Sequence, residues 1–186
     1  MNRLMWIFVE GESDRRFANA VLLPILRKRY DYIDTWEYAQ KPPEKTAEFL
    51  RAMKSMKADC LFLADIDDSP CVTARKDRLR ERFRQALEPA DAIVVAREIE
   101  SWYMAGADDQ VCQELGLASL PRTDDVTKEQ FRDLMPGRFK DSVVDFMTAI
   151  LTDFRVELAR GKNRSFCYLM DKLEARSKKV WCDESD

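Results

Sequence analysis

Residues 4–14 read LMWIFVEGESD, and this stretch decides the fold. The uninterrupted apolar run over residues 4–9 is typical of a strand that is buried on both faces of a parallel sheet. Glu10 and Gly11 end the run, and Asp14 lies in the first turn of the helix predicted to follow. A buried strand that leads directly into a helix predicts the first unit of an α/β fold.

The same alternation continues along the first part of the chain. Further strands are expected at residues 32–38, 60–64 and 92–96, and helices that end near Met56 and Leu87 separate them. Strands that alternate with helices favour a parallel sheet covered on both faces. We therefore predict a four-stranded, mainly parallel, Rossmann-like sheet flanked by helices over residues 1–105.

The pattern changes after residue 105, because only helical periodicity follows. We interpret residues 106–180 as a helical extension packed on the sheet, and we expect residues 181–186 to form a disordered tail. The predicted helices of the extension are Asp109–Leu115, Lys128–Leu134, Ser142–Arg160 and Ser165–Arg176.

Composition excludes several classes of protein. The chain of 186 residues has no histidine, which excludes Ser-His-Asp triads and imidazole-bound zinc. Its 34 acidic and 31 basic residues give a net charge of −3, so the whole chain is not a basic nucleic-acid binder. Five cysteines without CxxC spacing indicate reduced thiols, and no apolar run reaches the roughly 20 residues of a membrane helix. We therefore expect a cytoplasmic protein without a membrane segment.

Acidic residues follow three of the predicted strands: Glu10, Asp65, Asp67, Glu98 and Glu100. Asp65 and Asp67 lie two residues apart, as do Glu98 and Glu100, so in an extended backbone the two side chains of each pair would point to the same side. The carboxyl ends of parallel strands meet at one edge of a sheet, where ligands bind in folds of this class. Clustered carboxylates repel one another unless a positive charge balances them, and Mg²⁺ or Mn²⁺ is the usual partner of such oxygen ligands. The pattern at three strand ends predicts a divalent metal site, whereas each residue taken alone is more typical of a solvated loop or a helix cap.

Three motifs resemble those of a known domain. Residues 9–14, VEGESD, resemble the VEGxSD signature of the TOPRIM domain, which topoisomerases, bacterial primases and overcoming-lysogenization-defect nucleases share. Residues 65–67, DID, resemble its DxD motif. Residues 97–103, REIESWY, resemble the E-x-E-x-W element of small stand-alone TOPRIM-like proteins, the DUF4276 and RloB-like groups, which are often linked to phage defence. The resemblance covers the first half of the chain.

The resemblance implies a TOPRIM-like nuclease that uses Mg²⁺ or Mn²⁺ to cleave DNA or RNA. It makes Glu10, Asp65 and Asp67 the catalytic residues, with Glu10 as acid/base or metal ligand and the two aspartates as metal ligands. It adds Asp14 as a further ligand. The chain departs from the pattern at residues 68–70, where DSP replaces the glycine common in primases and topoisomerases. We do not expect a complete topoisomerase or primase.

Local groups of basic residues complement the acidic strand ends. An ordinary solvated face is the favoured interpretation of each group, and binding of the phosphates of a nucleic acid is the alternative. Trp102 and Tyr103 are expected to pack in the interior, with stacking on a base as the alternative. The candidate phosphate-binding residues are Arg75, Lys76, Arg78, Lys162 and Arg164.

Two other functions remain open from the sequence. One is metal-dependent phosphoryl or nucleotidyl transfer on a small nucleotide, for which an enclosed pocket is expected. The other is a non-catalytic partner subunit that retains the TOPRIM fold. A small TOPRIM unit often works beside an ATPase, and the chain has no GxxxxGK[ST] loop, so a separate ATPase is the partner that we expect.

Overall fold

The predicted α/β fold is confirmed. The computed structural model describes residues 3–183. Its strands are β1 (Leu4–Val9), β2 (Tyr32–Glu37), β3 (Asp59–Asp65) and β4 (Ala92–Val95). These strands form a parallel sheet in the order β2-β1-β3-β4, so β1 and β3 lie at its centre.

The central strand β1 is paired on both sides. Phe8 lies opposite Trp36 in β2 and opposite Phe62 in β3, and the rings of Phe8 and Phe62 stack with centroids 5.6 Å apart. Ile7, Phe8 and Val9 are all fully buried. Alternate residues of a strand point to opposite faces of the sheet, so the uninterrupted apolar run is explained by helices that cover both faces.

Helices connect the strands in sequence order. They are α1 (Glu12–Phe17), a π-helical turn (Ala18–Leu22), α2 (Leu23–Leu26), α3 (Pro43–Ser55) and α4 (Val72–Arg82). The π-helical turn ends two residues before Pro24, which has no backbone N–H to donate and whose ring crowds the preceding turn. Helix α4 ends before the predicted limit near Leu87, because Arg84 and Gln85 adopt positive φ angles of 51° and 60°.

One hydrophobic cluster lies between the sheet and helices α3 and α4. Strands β1, β3 and β4 contribute to it, and Leu79 and Phe83 at the end of α4 are buried against them. Tyr38, which follows β2, is part of the same cluster, with its ring stacked 4.5 Å from that of Phe62. This core holds in place the segments that follow β1, β2 and β3.

The chain divides between Ile99 and Glu100 into two units, earlier than the predicted boundary after residue 105. The reason is that residues 100–105 form a helix, α5 (Glu100–Ala105), that packs on other helices of the second unit. Trp102 and Tyr103 in this helix are fully buried, as expected, and the indole nitrogen of Trp102 donates to the Ser165 hydroxyl over 2.8 Å. Their burial excludes the alternative of stacking on a base.

The second unit is helical, as predicted. After α5 it contains α6 (Asp109–Leu115), α7 (Lys128–Asp133), a 3₁₀ turn (Gly137–Phe139), α8 (Val143–Leu151), α9 (Val156–Lys162) and α10 (Arg164–Asp183). Helix α10 includes the first three residues of the predicted tail, and residues 184–186 lie outside the described part of the chain. Over residues 3–183 no helix combines the length and the apolar character needed to cross a membrane.

The prediction of one helix from Ser142 to Arg160 is wrong. The chain leaves helical geometry between α8 and α9, where the backbone N–H of Arg155 donates to the carbonyl of Gly106 over 2.9 Å. The ring of Phe154 lies against the Cα atom of Gly106, so closely that a Cβ atom there would collide with it. Contacts with a distant residue therefore interrupt the helical periodicity.

Replacement of Gly106 by alanine tests this contact. We expect Gly106→Ala to lower the free energy of unfolding by about 1–3 kcal/mol, because the added methyl group must displace a packed ring. Urea denaturation followed by circular dichroism measures the change.

Gly161→Ala is the matched control. Gly161 lies in α9 with no atom within 4 Å of an added Cβ, so alanine there should stabilise the protein by up to about 1 kcal/mol through its higher helix propensity. Equal effects of the two substitutions would contradict a tight contact between Gly106 and the ring of Phe154.

Candidate functional site

Two acidic residues lie at the topological switch point of the sheet. From β1 the chain first crosses to β2 on one side and then returns to β3 on the other. In parallel sheets of this kind the crevice outside the carboxyl ends of the two strands that flank this point is the usual ligand site. Glu10 follows β1 directly and Asp65 is the last residue of β3. Two of the predicted catalytic residues thus follow the two central strands.

A buried tyrosine hydroxyl lies between these strand ends. The backbone N–H of Tyr38 donates to the carbonyl of Val9 over 2.9 Å, which fixes the start of its side chain. The phenolic oxygen is 3.3 Å from Oε2 of Glu10 and 3.2 Å from the carbonyl oxygen of Leu63. Tyr38 is only 1% exposed, so its hydroxyl contacts the carboxylate of Glu10 from the protein interior.

Several charged side chains act on the Tyr38 hydroxyl. Burial raises the pKa of Tyr38 well above its usual value, and the negative charges of Glu10, Asp14 and Asp65 raise this pKa further. The positive charge of Arg75 acts in the opposite direction. Three carboxylates and one guanidinium therefore lie near one phenol, which stays protonated and remains a hydrogen-bond donor at neutral pH.

Asp14 contributes to this acidic group from helix α1. Its side chain is buried, with a residue exposure of 6%, and Oδ2 accepts a hydrogen bond of 3.2 Å from the backbone N–H of Gly11. An acidic side chain in the first turn of a helix is stabilised by the helix dipole and by the free N–H groups there. Asp14 therefore both caps α1 and adds negative charge beside Glu10.

Asp67 is oriented differently from the prediction. An extended backbone would direct Asp65 and Asp67 to the same side, but β3 ends at Asp65 and Asp67 adopts a φ angle of 47°. The expectation of a shared direction is therefore wrong, because the chain turns before Asp67. The Asp67 carboxylate forms an ion pair of 2.7 Å with Arg75, whose side chain is 9% exposed.

Glu98 and Glu100 fall in different units of the protein. Glu98 is partly buried and follows β4 in the first unit. Glu100 is the first residue of α5 in the second unit, where it is 3% exposed. Their membership of one acidic pocket with Glu10 and Asp65 stays a prediction.

The oxygen atoms at the ends of β1 and β3 are of the chemical type that binds a hard divalent cation, but they do not form a complete set of metal ligands. Carboxylate and phenol oxygens are the right chemical type. Within the described residues, however, no group of three or more acidic or thiol side chains is placed to hold a metal ion. Asp67 is held by Arg75 instead. Mg²⁺ commonly uses only one or two carboxylates and fills its remaining positions with water or phosphate, so Glu10 and Asp65 are the residues that fit it.

The predicted phosphate-binding residues on α4 occupy different environments. Arg75 is buried, so it does not belong to an exposed basic face. The ammonium group of Lys76 donates to the carbonyl of Pro89 over 3.1 Å. Arg78 is exposed, and its Nη1 atom donates to the Ser69 hydroxyl over 3.2 Å. Of these three, Arg78 is the residue most accessible to a phosphate.

The two candidates in the second unit have structural contacts. The ammonium group of Lys162 donates to the carbonyl of Ala107 over 2.9 Å. Nε of Arg164 lies 3.5 Å from the carboxylate of Asp124, while the Arg164 side chain stays 82% exposed. Arg164 can therefore reach a ligand in solution, whereas Lys162 joins α9 to the segment that follows α5.

Sequence reasoning missed two features of this crevice. The pattern of the second strand predicts only that Tyr38 ends it, although a tyrosine at the carboxyl end of β2 lies at the same sheet edge as Glu10. The basic residues around Arg75 predict an exposed face for it, although Arg75 is the buried member of this group. The periodicity of α4 gives the available signal, since Arg75 and the buried Leu79 are four residues apart and share a helix face.

Comparison with known proteins adds no relative. The chain matches no family model, no curated protein and no solved structure. The resemblance to the TOPRIM domain therefore stays a prediction that is based on motifs, and the fold and the crevice carry the functional argument.

Substitution of Tyr38 tests whether its hydroxyl is a structural part of the crevice. Tyr38→Phe keeps the stacked ring but removes the donor between Glu10 and Leu63, so we expect a loss of about 1 kcal/mol in the free energy of unfolding. Urea denaturation at neutral pH measures this loss.

Tyr32→Phe is the control for this experiment. Tyr32 also donates to a carboxylate, that of Asp34 over 2.9 Å, but the residue is 48% exposed. Its substitution should change stability by less than about 0.5 kcal/mol. Equal effects at the two positions would contradict a buried structural role for the Tyr38 hydroxyl.

Proposed function

We propose that this protein is a phosphodiesterase that uses Mg²⁺ or Mn²⁺ to cleave nucleic acid at the carboxyl edge of its sheet. The observation that carries the proposal is the position of Glu10 and Asp65 at the carboxyl ends of the two central strands, β1 and β3. Carboxylates at this position are suited to hold a hard cation in the crevice where an α/β sheet binds its ligand. The histidine-free composition is consistent with chemistry that rests on oxygen ligands alone.

The motif resemblance and the contacts of the residues suggest a role for each of them. Asp65 is a metal ligand from β3, and Glu10 is a metal ligand or the general base that accepts a proton from the attacking water. The Tyr38 hydroxyl orients Glu10 through the 3.3 Å contact with Oε2. Asp67 is a further ligand once its ion pair with Arg75 opens. A bound divalent cation supplies Lewis-acid activation of water and of the phosphoryl oxygens.

The wider setting of the proposal comes from the motif resemblance. A TOPRIM-like nuclease of this size would act beside a separate ATPase, and the E-x-E-x-W element suggests a role in phage defence. We place the protein in the cytoplasm, which agrees with the free thiols of Cys60, Cys71, Cys112 and Cys167. Exposed Arg78 and Arg164 are the candidates for phosphate contacts.

The second candidate function is a non-catalytic subunit that has kept the fold. The ion pair between Asp67 and Arg75 favours it, because a guanidinium already neutralises one of the predicted metal ligands. A subunit of this kind would bind divalent cations weakly, and Asp65→Asn would leave its biological role intact.

Cleavage assays separate the two candidates. We expect the protein to cut at least one of supercoiled plasmid, single-stranded DNA and RNA when Mg²⁺ or Mn²⁺ is present. Glu10→Gln and Asp65→Asn should each lower the initial rate by about 100-fold or more, because each removes a charge that the reaction needs. Gel electrophoresis of the products measures the rates.

Asp68→Asn is the matched control for these variants. Asp68 lies in the loop that follows β3 and is exposed to solvent, so removal of its negative charge should leave the cleavage rate unchanged. No cleavage of any substrate with either cation would contradict the nuclease proposal. If all three substitutions lowered the cleavage rate equally, the rate would depend on the total negative charge of these loops, and Glu10 and Asp65 would have no specific role.

A further inference from the structure

Arg75 is a buried positive charge at the carboxyl edge of the sheet. It lies in the first turns of α4, and only 8% of its surface is exposed. Its Nη2 atom is 2.7 Å from Oδ2 of Asp67, while its buried Nε has no hydrogen-bond acceptor within residues 3–183. Burial of a guanidinium is energetically unfavourable unless all its N–H donors form hydrogen bonds. The ion pair with Asp67 leaves the Nε donor of Arg75 without one in the described part of the chain.

The guanidinium lies at the acidic edge of the sheet, where it pairs with the carboxylate of Asp67 over 2.7 Å. Its positive charge also opposes the effect of Glu10, Asp14 and Asp65 on the pKa of the Tyr38 phenol. Arg75 therefore supplies positive charge beside the carboxylates. The same charge repels any other cation that approaches Asp67.

The partner carboxylate is accessible from solution. The Asp67 side chain is 49% exposed, and its residue lies in a turn outside β3. A hydrated cation can therefore reach Asp67 from the solvent side without opening the core. The ion pair can be replaced at this point, because Asp67 can exchange one cationic partner for another on its exposed side.

We propose that Arg75 is an internal counter-ion that closes the site in the absence of divalent cation and must leave Asp67 before the cation binds. This inference rests on the proposed function, since it concerns the same metal site. It predicts that Arg75 weakens cation binding, whereas a residue that only builds the site would strengthen it.

Cation affinity of an uncharged variant tests the proposal. Arg75→Met keeps the length of the side chain and removes its charge, so we expect Mn²⁺ to bind on the order of tenfold more tightly than to the wild-type protein. Isothermal titration calorimetry and electron paramagnetic resonance of free Mn²⁺ measure the affinity. Circular dichroism first establishes that the variant is folded.

Arg80→Met is the matched control. It removes an exposed arginine from the same helix, away from the proposed site, so the Mn²⁺ affinity of this variant should equal that of the wild type. If both variants bound Mn²⁺ more tightly by the same factor, the overall charge of α4 would explain the change, and the proposal would be overturned. Unchanged or weaker binding by Arg75→Met would overturn it as well.

A measurement on the wild-type protein covers the case in which Arg75→Met does not fold. Nuclear magnetic resonance of arginine Nε–H groups, with Arg75 assigned by Arg75→Lys, should show faster exchange of the Arg75 proton with water when Mg²⁺ is added. An Arg75 signal that does not respond to saturating Mg²⁺ would overturn the proposal.

The outcomes also distinguish this inference from the proposed function. Tighter Mn²⁺ binding by Arg75→Met without nucleic-acid cleavage by either protein supports the counter-ion role and contradicts the nuclease. Cleavage by the wild type with identical Mn²⁺ affinities supports the nuclease and overturns the counter-ion role. If neither protein binds Mn²⁺, both proposals are contradicted.

Discussion

The backbone pairing of β1 with a parallel neighbour on each side is the constraint on which the rest of the structure depends. A strand in this position has to be apolar on both faces, and the six residues of β1 satisfy that requirement. Because β1 and β3 are adjacent and parallel, the residues that follow them emerge together at one edge. The first polar residues after these two runs, Glu10 and Asp65, thus meet at the switch point as a direct result of the strand order.

The charges that this strand order brings together have to be balanced. The crevice does so with groups from three connections: Tyr38 after β2 donates to Glu10, Gly11 donates to Asp14, and Arg75 of α4 pairs with Asp67. The ion pair of Arg75 is the shortest of these contacts at 2.7 Å, and the contacts of Tyr38 and Arg75 are made by buried side chains. The protein therefore satisfies an acidic edge with its own donors, and this is the physical basis for the competition that we propose between Arg75 and an added cation.

Local patterns in the sequence predicted the parts of this arrangement that depend on neighbouring residues. The bounds of β1, and the position of Asp65 after an apolar run, follow from hydrophobic continuity alone. The burial of Arg75 has a local signal as well, its spacing of four residues from Leu79, but the surrounding basic residues obscure it. The turn at Asp67 and the break between α8 and α9 have none, because each depends on a residue distant in the chain or on backbone geometry after a strand ends. Tyr38 was missed for the same reason, since its partners Glu10 and Leu63 are 28 and 25 residues away.

The central claim is that Glu10 and Asp65 together hold a divalent cation at the carboxyl ends of β1 and β3. Anomalous diffraction from crystals soaked in Mn²⁺ tests it most directly, because manganese is located without reference to activity. The account predicts an anomalous peak within coordination distance of carboxylate oxygens of both Glu10 and Asp65, and its loss in Asp65→Asn crystals. A peak elsewhere, or none in this crevice at saturating Mn²⁺, would contradict it.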